Sequence, residues 1–591
     1  MRSVLLALSV LMGVAITAPA GVLVEAEGFD NKGGWSVDQQ FTHIMGSSYL
    51  LAHGMGTPVK NAETTAKIPE AGAHHVWVRT KDWVPGPWEA PGRFRVLVNG
   101  KALEPTFGTE ESWGWQPGGT VQLKAGDIKI ALEDLTGFDG RCDAIYFDTN
   151  ADAKLPNDLE SMRPWRDKLL GLPSTPKAAE NFDVVIVGGG IAGCGAALAA
   201  NQQGLNVAII QDRPVFGGNA SGEIRVHTIG ITGLANDILE DINTPHYPNG
   251  DEQAMMIDLH RELVMEAAEN VTAFLNWRAY DAHTVDGRIV SVDARHTHTN
   301  EIKRFFAPVF IDATGDGWVG YWAGADYRYG RESREEFDEG RPEIGELWSP
   351  KAPDNWVMGA TLLWNSHTPG GRVDFPETPW AMPVAKDHIA LNGEWYWEYT
   401  DNDLNQIYDA EQIRDHLLRA IYGSFGNAKK NPENDRIGLK WVAYVVGKRE
   451  SRRLMGDYIY TMHDIFEGTE FPDAVVMETR FLDLHNQRHL EGAKVDFLSV
   501  VTGDNKKRMK NPRYYIPFRS LYSRNIGNLM MAGRCFSTSH VGLGGPRVMN
   551  TTGQMGVATG FAASLCKKYD TNPRGVYKNH IEELRKLCGY E

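Results

Sequence analysis

The sequence predicts a multidomain chain in which an all-β sandwich precedes an α/β domain of the Rossmann type that carries an inserted cap region. At 591 residues, the chain is too long for one ordinary domain. Short alternating apolar runs fill the segment before residue 150, and a strand, a glycine turn and a helix follow one another from residue 184. The predicted divisions are a signal peptide at 1–20, a β-sandwich at 21–150, a linker at 151–180, a first part of the α/β domain at 181–330, a substrate-facing cap at 331–500 and a second part of the α/β domain at 501–591.

The first twenty residues have the pattern of an export signal. Arg2 supplies a positive charge, an apolar run follows at 4–16, and Ala18-Pro19-Ala20 fits a cleavage site. A short buried helix is the alternative interpretation. We therefore expect a secreted or periplasmic protein whose mature chain begins near Gly21. Because no run of 18 apolar residues occurs elsewhere in the chain, we expect no membrane span.

Composition excludes several classes of partner and site. The formal net charge of −16 argues against binding to nucleic acid or to anionic membranes. The cysteine count is odd and the spacing shows no pairs, so neither a disulfide framework nor a zinc site is predicted, and no metal ligands are assigned. The five cysteines are Cys142, Cys194, Cys535, Cys566 and Cys588.

The segment at 21–150 consists of short alternating runs, such as Phe94 to Val98, separated by turns such as Asn99-Gly100. This pattern resembles jelly-roll carbohydrate-binding modules. Glu25-Ala26-Glu27 and the run 143–148 match positions where such modules hold a structural calcium, although solvated carboxylates at strand ends are the alternative.

Four tryptophans in this segment lie near loops and are candidate sugar-stacking platforms, with core packing as the alternative. If they bind glycan, the segment folds alone and tethers substrate, and its deletion leaves the cofactor bound. These residues are Trp83, Trp88, Trp113 and Trp115.

A dinucleotide-binding turn follows the linker. The apolar run 184–187 predicts a buried parallel strand, and Gly188, Gly190 and Gly193 stand at GxGxxG spacing before a helix of small residues. The first glycine permits the turn, the second lets a pyrophosphate approach, and the third lets the helix pack on the strand. The N-terminus of that helix attracts phosphate.

The end of the second strand distinguishes two cofactor chemistries. Gln211 stands where an acidic residue is expected to bind the ribose, with Asp212 next to it, so either side chain can take that role. A Gly-Gly turn at 217–218 follows directly. Nicotinamide dehydrogenases do not require such a turn, whereas many flavoproteins have one beside FAD.

Five sequence blocks then carry an explicit resemblance. The chain resembles the secreted FAD-dependent oxidoreductase family found beside polysaccharide-degradation enzymes, in the glutathione-reductase-like flavoprotein group. Together the blocks, which run in family order from 181 to about 566, are more specific than any one alone. They are 188–193, 211–225, 311–317, 447–453, and a last block that runs from 515–519 through 528–534 to Gly553-Gln554.

The resemblance implies bound FAD and a set of residues around it. Loops after two further strands carry polar and glycine residues, and the glycine-rich run 542–546 leads into a helix whose N-terminus is expected at the flavin ring. The predicted cofactor-binding residues are Gly188, Gly190, Ile191, Ala192, Gly193, Gln211, Asp212, Arg213, Gly217, Gly218, Asn219, Ala279, Thr314, Gly315, Asp316, Gly533, Arg534, Gly544 and Arg547.

Candidate catalytic residues are His227, His540 and Arg449, because imidazoles can act as bases near neutral pH and a guanidinium can orient substrate. Structural hydrogen bonding is the alternative for each histidine, and a salt-bridged helix face is the alternative for 447–453. We expect an enzyme that oxidises a secondary alcohol of a carbohydrate by hydride transfer to flavin, with a small-molecule or glycan substrate and an unidentified electron acceptor.

Two other functions remain open. One is a flavin-dependent monooxygenase or halogenase, although a halogenase-type Trp motif after the second strand is absent from the sequence. The other is a redox-silent, flavin-containing glycan-binding protein.

Overall fold

A computed structural model describes residues 21–245, 248–401, 403–486, 494–501 and 505–590. The predicted signal peptide at 1–20 lies outside the described residues. Within those residues, every helix is too short or too polar to cross a membrane.

The N-terminal region is β-rich, and its strands form two antiparallel sheets, in the orders β2-β3-β10-β5-β8, with β1 also paired to β10, and β4-β9-β6-β7. Val78 and Ile145 of the first sheet share one apolar core with Val96 and Ile130 of the second. The jelly-roll connectivity stays a prediction. The elements are β1 (Gly21–Glu25), β2 (Ser36–Asp38), α1 (Thr42–Met45), β3 (Tyr49–Ala52), β4 (Ala62–Ile68), β5 (Gly72–Thr80), β6 (Phe94–Val98), β7 (Lys101–Ala102), β8 (Gly114–Leu123), β9 (Gly126–Asp134) and β10 (Gly140–Asp148).

The predicted linker contains helix α2 (Leu159–Leu169), which packs on the β-rich region. Arg166 of this helix donates to Glu25 over 2.7 Å and to Asp143 over 2.5 Å. Glu25, Glu27 and Asp143 are the buried carboxylates considered for calcium, and their oxygens lie within 4.8 Å of one another. Arg79 also donates to Asp143. Two guanidinium groups thus bond to this cluster, and the calcium interpretation stays a prediction.

The α/β domain begins next. Strands β15 to β17 form a four-stranded mixed sheet with β11. Its elements up to residue 323 are β11 (Lys177–Ala179), β12 (Val184–Val187), α3 (Ile191–Gln202), β13 (Val207–Gln211), α4 (Asn236–Leu239), α5 (Gln253–Glu266), β14 (Val271–Leu275), β15 (Trp277–Val285), β16 (Arg288–His296), β17 (Ile302–Phe306), β18 (Val309–Asp312) and α6 (Trp318–Ala323).

The predicted cap contains short strand pairs and one long helix. The elements from residue 327 to residue 501 are β19 (Tyr327–Arg328), α7 (Arg334–Phe337), β20 (Trp364–His367), α8 (Met382–Ala385), α9 (Ala410–Lys429), β21 (Gly438–Val442), β22 (Arg453–Leu454), α10 (Met462–Glu467), β23 (Ala474–Glu478), β24 (His485–Asn486) and β25 (Val500–Val501).

The C-terminal part of the chain adds a strand and helices to the α/β domain. Its elements are β26 (Tyr514–Pro517), β27 (Leu529–Met531), α11 (Met549–Lys568), α12 (Pro573–Asn579) and α13 (Ile581–Leu587). Strand β27 completes a parallel sheet in the order β14-β13-β12-β18-β27. Helices α3 and α11 pack closely because Gly556 leaves room for the carbonyl of Ala192, which a Cβ would approach to 1.9 Å. The strands of this sheet are apolar and buried, as Val184–Val187 shows.

The β-rich region and the cap share an apolar core. Tyr49 and Phe138 of the first pack with Trp380 and Phe425 of the second. Two fully buried ion pairs cross the same boundary, Arg141 to Asp415 at 2.5 Å and Arg414 to Asp38 at 2.8 Å. The N-terminal region therefore has one core between its own two sheets and shares a second core with the cap.

Of the four tryptophans considered as sugar platforms, Trp83 is a buried packing residue, whereas Trp88, Trp113 and Trp115 are half-buried, and for these three the sugar-platform interpretation stays a prediction. Each indole N–H donates within the protein, and Trp83 is only 4 % exposed. The acceptors are Phe138 O for Trp83, Val84 O for Trp88, a Glu411 carboxylate oxygen for Trp113 and Pro156 O for Trp115.

Candidate cofactor and active site

A cavity of about 540 Å³ opens at the carboxyl ends of the parallel strands. Val187 of β12, Gln211 of β13, Ala313 after β18 and Gly533 after β27 all line it. In open α/β sheets this edge is where ligands bind, because strand ends leave a crevice between diverging loops.

The three glycines of the turn have different surroundings. Gly188 adopts φ +107°, where side chains are strained, and a Cβ there would lie 2.2 Å from the carbonyl of Ala313. At Gly193, a Cβ would lie 1.8 Å from the carbonyl of Gly188, so this glycine lets helix α3 pack on the turn. A Cβ on Gly190 would meet only the Cα of Gly218, at 3.8 Å. Gly190 therefore faces open space, as the close approach of a ligand requires.

Gln211, which ends β13, and Asp212, which follows it, have different roles at the cavity. The Gln211 amide is used internally, since its Oε1 accepts from the N–H of Gly189 over 2.8 Å and its Nε2 donates to Val215 O. Asp212 instead presents a carboxylate to the cavity, paired with Arg278 at 3.0 Å. Gln211 thus holds the glycine turn in place, and the partly exposed carboxylate of Asp212 remains available as a hydrogen-bond acceptor.

A cation–carboxylate trio stands at the loops after β18 and β27. Asp316 lies 2.8 Å from Lys448 and 3.0 Å from Arg534. Although burial opposes ionisation, these two cations hold the pKa of Asp316 well below its usual range. The trio carries a net charge of about +1 beside the glycine turns, which suits an anionic ligand group.

The N-terminal β-rich region supplies part of the cavity wall through Gln40, Phe41 and His43. The backbone N–H of Val446 donates to Gln40 Oε1 over 2.8 Å. His43 Nε2 bonds to Ile407 O at 2.7 Å, which leaves Nδ1 to accept from Arg278 at 3.1 Å. Burial and the charge of Arg278 lower the pKa of His43 to about 3, so its ring is neutral.

A second polar group lines the same cavity beside the start of α11. Arg480 donates to Asp483 over 2.8 Å, and Arg547 donates to the carbonyl of Asp483 over 3.0 Å. Met549 and Thr552 of α11 also line the cavity. The N-terminus of this helix therefore reaches the cavity, as the glycine-rich lead-in predicts.

A buried acid–histidine pair adjoins this group, and its histidine, His485, lines the cavity. His485 Nδ1 lies 3.0 Å from both carboxylate oxygens of Glu398, and Arg449 lies 2.5 Å from the same carboxylate. Burial raises the pKa of Glu398 to about 7, although Arg449 opposes the shift. Burial and neighbouring arginines lower the pKa of His485 well below its ordinary value. A neutral imidazole that donates through Nδ1 keeps an acceptor at Nε2.

Two of the three predicted catalytic residues line the cavity, and the third does not. His227 lines the cavity and bonds through Nδ1 to Asn249 at 2.5 Å. Arg449 also lines it, but bonds to Glu398 and to the carbonyl of Gly359. His540 is absent from the cavity lining, because its imidazole is buried against Glu450 at 2.8 Å. The structure therefore does not bring His540 to the site.

Most of the predicted cofactor residues line the cavity. Gly193 packs behind the turn, and Gly544 packs against Leu484, so neither lies in the lining. The lining residues among those predicted are Gly188, Gly190, Ile191, Ala192, Gln211, Asp212, Arg213, Gly217, Gly218, Asn219, Ala279, Thr314, Gly315, Asp316, Gly533, Arg534 and Arg547.

Sequence reasoning missed Gln40, His43, Glu398 and His485. None stands in a recognisable spacing with the glycine turns, and tertiary packing alone brings them together. The alternation of Asp483 and His485 about a buried leucine is the one local signal, and it is common in strands.

The sequence model of the FAD dependent oxidoreductase family matches residues 183–587. The chain matches none of the curated proteins with which it was compared.

Among solved structures, a family 35 carbohydrate binding module from Clostridium thermocellum is 19 % identical over 22 % of this chain and 98 % of its own, with a TM-score of 0.18. A geranylgeranyl bacteriochlorophyll reductase-like protein from Thermoplasma acidophilum is 13 % identical over 70 % of this chain and 83 % of its own, with a TM-score of 0.30. The myxobacterial chondrochloren halogenase is 11 % identical over 70 % and 79 %, with a TM-score of 0.31.

Proposed function

Because the chain belongs to the FAD dependent oxidoreductase family, we propose that it oxidises a secondary alcohol of a carbohydrate to a ketone and acts as a secreted or periplasmic enzyme. The observation that carries this proposal is His485, which lines the cofactor cavity and is bonded through Nδ1 to the buried carboxylate of Glu398 behind it. The signal-peptide pattern at 1–20 supports export.

The cavity fits FAD on its own chemistry. The open face of Gly190 admits a pyrophosphate that any side chain would obstruct, and the trio of Asp316 with Lys448 and Arg534 adds positive charge nearby. Asp212 offers its carboxylate to ribose hydroxyls. When bound, FAD supplies the two-electron acceptor for the hydride.

His485 is the proposed acceptor of the hydroxyl proton. Its Nδ1 bonds to Glu398, so Nε2 is the ring nitrogen that takes the proton. Asp483, whose Oδ1 lies 3.7 Å from Nε2, would stabilise the imidazolium against the burial and the neighbouring arginines that lower its pKa. In the proposed reaction the O–H proton of the alcohol passes to Nε2 while its carbon-bound hydrogen leaves as hydride. Arg449, bound to Glu398, is a positioning residue that keeps the carboxylate in place.

Trp395 supports a saccharide as the substrate. Its indole lines the cavity, is 36 % exposed, and lies 5.3 Å from the ring of His485 between centroids. An exposed indole with an apolar face can stack on the C–H face of a sugar ring. The stacked ring would then lie within reach of the proposed base.

Anaerobic bleaching of the flavin by a panel of sugars tests the proposal. We expect at least one sugar to bleach the holoprotein, and His485→Asn to slow bleaching by about 10²–10⁴-fold with flavin still bound, since general-base catalysis contributes that much. His260→Asn, at an exposed histidine, is the matched control.

Other outcomes would point to the rival functions. Bleaching by reduced nicotinamide instead of sugar would indicate a monooxygenase or halogenase. A yellow protein that binds glycan but is bleached by neither would indicate a redox-silent protein. A wild-type rate in His485→Asn would remove His485 from the mechanism.

A further inference from the structure

The cavity wall contains two charged trios, in each of which two cations pair with one carboxylate. Lys448 and Arg534 share Asp316. Arg480 and Arg547 share Asp483, whose Oδ2 lies 2.8 Å and 3.4 Å from their terminal nitrogens. The first trio stands by the glycine turns, where FAD phosphates fit. The second stands beside the start of α11, and its Arg547 is also one of the predicted cofactor-binding residues.

Among the described residues, the carboxylates beside the second trio have other partners. Glu398 is paired with Arg449 at 2.5 Å, and Glu478 accepts from the backbone N–H groups of Thr479 and Arg480 and from the Thr551 hydroxyl. The trio therefore keeps a net charge of about +1 in a wall that is largely removed from water, where an uncompensated charge is costly.

The two arginines also have unused donors. Their side chains are only 26 % and 11 % exposed, and among the described residues the Nε atoms of both Arg480 and Arg547 are buried without a hydrogen-bond partner. Burial, reinforced by the like charges of Arg449 and Arg480, lowers the pKa of Arg547 to about 10 although Asp483 opposes the shift. An added anion beside the terminal nitrogens of these arginines would relieve the repulsion between the like charges.

We propose that Arg480 and Arg547 form a subsite for an oxyanion carried by the saccharide, the carboxylate of a uronate or a sulfate ester. This inference rests on the proposed oxidation of a carbohydrate and names the substrate class. Guanidinium groups present paired N–H donors that match the oxygens of a carboxylate or sulfate, whereas a neutral sugar hydroxyl satisfies one donor at a time.

The position of the subsite fits a substrate role. Arg480 and Asp483 lie two to five residues before His485, and all three line the cavity with Trp395. A sugar stacked on Trp395 and anchored through its anionic group would be held at two points. Two-point attachment fixes which hydroxyl faces His485, and so sets the position that is oxidised.

Binding to the holoprotein with chemically reduced flavin tests the inference without turnover. The probes are three matched acid and neutral pairs: glucuronate with glucose, galacturonate with galactose, and mannuronate with mannose. By calorimetry we expect at least one acid to bind about tenfold tighter than its neutral partner, with a preference that weakens as salt is added. Glucose 6-sulfate distinguishes a sulfate from a carboxylate as the source of the anion.

Variants assign the preference to these residues. Arg480→Gln and Arg547→Gln should each reduce the acid preference by about tenfold, and the Lys variants should keep part of it, because a lysine preserves charge but not the paired donors. Arg524→Gln, at a half-exposed arginine that pairs with Asp326, is the matched control. Retained flavin absorbance shows that each variant is folded.

Three results would overturn the inference: no acid in the panel binds, acids and neutral sugars bind equally, or the Gln variants keep the full preference. Failure of the proposed function looks different. Tight acid binding without flavin bleaching would refute the oxidation and leave the subsite, whereas bleaching by neutral sugars without acid preference would refute the subsite alone.

Discussion

The Gln39 side chain donates a hydrogen bond to the backbone carbonyl of Asp212 over 2.7 Å. Gln39 belongs to the N-terminal β-rich region and Asp212 to the ribose end of the cofactor site, so the bond joins two parts of the chain predicted to be separate. His43 extends the contact, because it accepts from Arg278, which in turn pairs with Asp212. The β-rich region is thus part of the cofactor cavity.

Gln39→Ala and His43→Ala should each weaken FAD binding by about tenfold. Each change removes a partner from the buried set around Asp212 and Arg278, and an unmet buried hydrogen bond costs about 1–3 kcal/mol. The dissociation constant is measured by titrating apoprotein with FAD and following flavin fluorescence. Gln122→Ala, at an exposed position of the same region, should have no effect. Unchanged affinity in both test variants would show that the contact does not support the cofactor.

Deleting residues 21–150 should yield insoluble protein without flavin. The deletion exposes the apolar core around Trp380 and Phe425 and leaves Arg414 and Asp415 without their partners Asp38 and Arg141. Arg414 and Asp415 still pair with each other at 2.8 Å, so the exposed apolar core is the main cause of the expected insolubility. Soluble expression and flavin absorbance are the measurements. A soluble, yellow truncation with full activity on small sugars would restore the tethered-module interpretation.

Gly190→Val and Gly193→Ala should separate cofactor binding from folding. A side chain at Gly190 meets little within the protein and occupies the space for pyrophosphate, so the variant should fold as a colourless protein. An alanine Cβ at Gly193 would lie 1.8 Å from Gly188 O, so helix α3 must shift and the melting temperature should fall. Circular dichroism and flavin absorbance measure the two properties. A yellow Gly190→Val protein would place the pyrophosphate elsewhere.

Local motifs made one half of this site predictable. The turns at Gly188 and Gly217, and the loops with Asp316 and Arg534, each follow a strand directly, so their position in the sheet fixes where they point. His540 shows the limit of this reasoning. It precedes a glycine loop near the cavity, but its ring turns towards Glu450, which is 90 residues away in the sequence.

The other half of the site depends on contacts between distant segments. Gln39 meets Asp212 across 173 residues, and Glu398 meets His485 across 87. Such pairs have no shared period or spacing, because packing between separate elements creates them. The interpretation of the β-rich region as an independent module also leaves Gln39 and His43 out of the predicted site.

Glu339 is expected to make stability depend on pH. Its Oε1 accepts from the N–H of Met462 and from Ser539 Oγ, and among the described residues its buried Oε2 has no partner. Burial raises the pKa of Glu339 to about 8. Between the unfolded value of 4.5 and this folded value, the native state binds more protons than the unfolded state. The free energy of unfolding therefore falls as pH rises through this window, by up to about 1.4 kcal/mol per pH unit for one proton.

Glu339→Gln keeps the acceptor oxygen and removes the titration, so it should flatten this slope and exceed the wild-type melting temperature above about pH 8. Melting curves recorded from about pH 5 to about pH 9 measure the difference. Glu335→Gln, at an exposed neighbour, should run parallel to wild type and so controls for loss of charge alone. Parallel curves for Glu339→Gln and wild type would mean that Glu339 does not gain a proton on folding, and that a group outside its contacts with Met462 and Ser539 stabilises the ionised carboxylate.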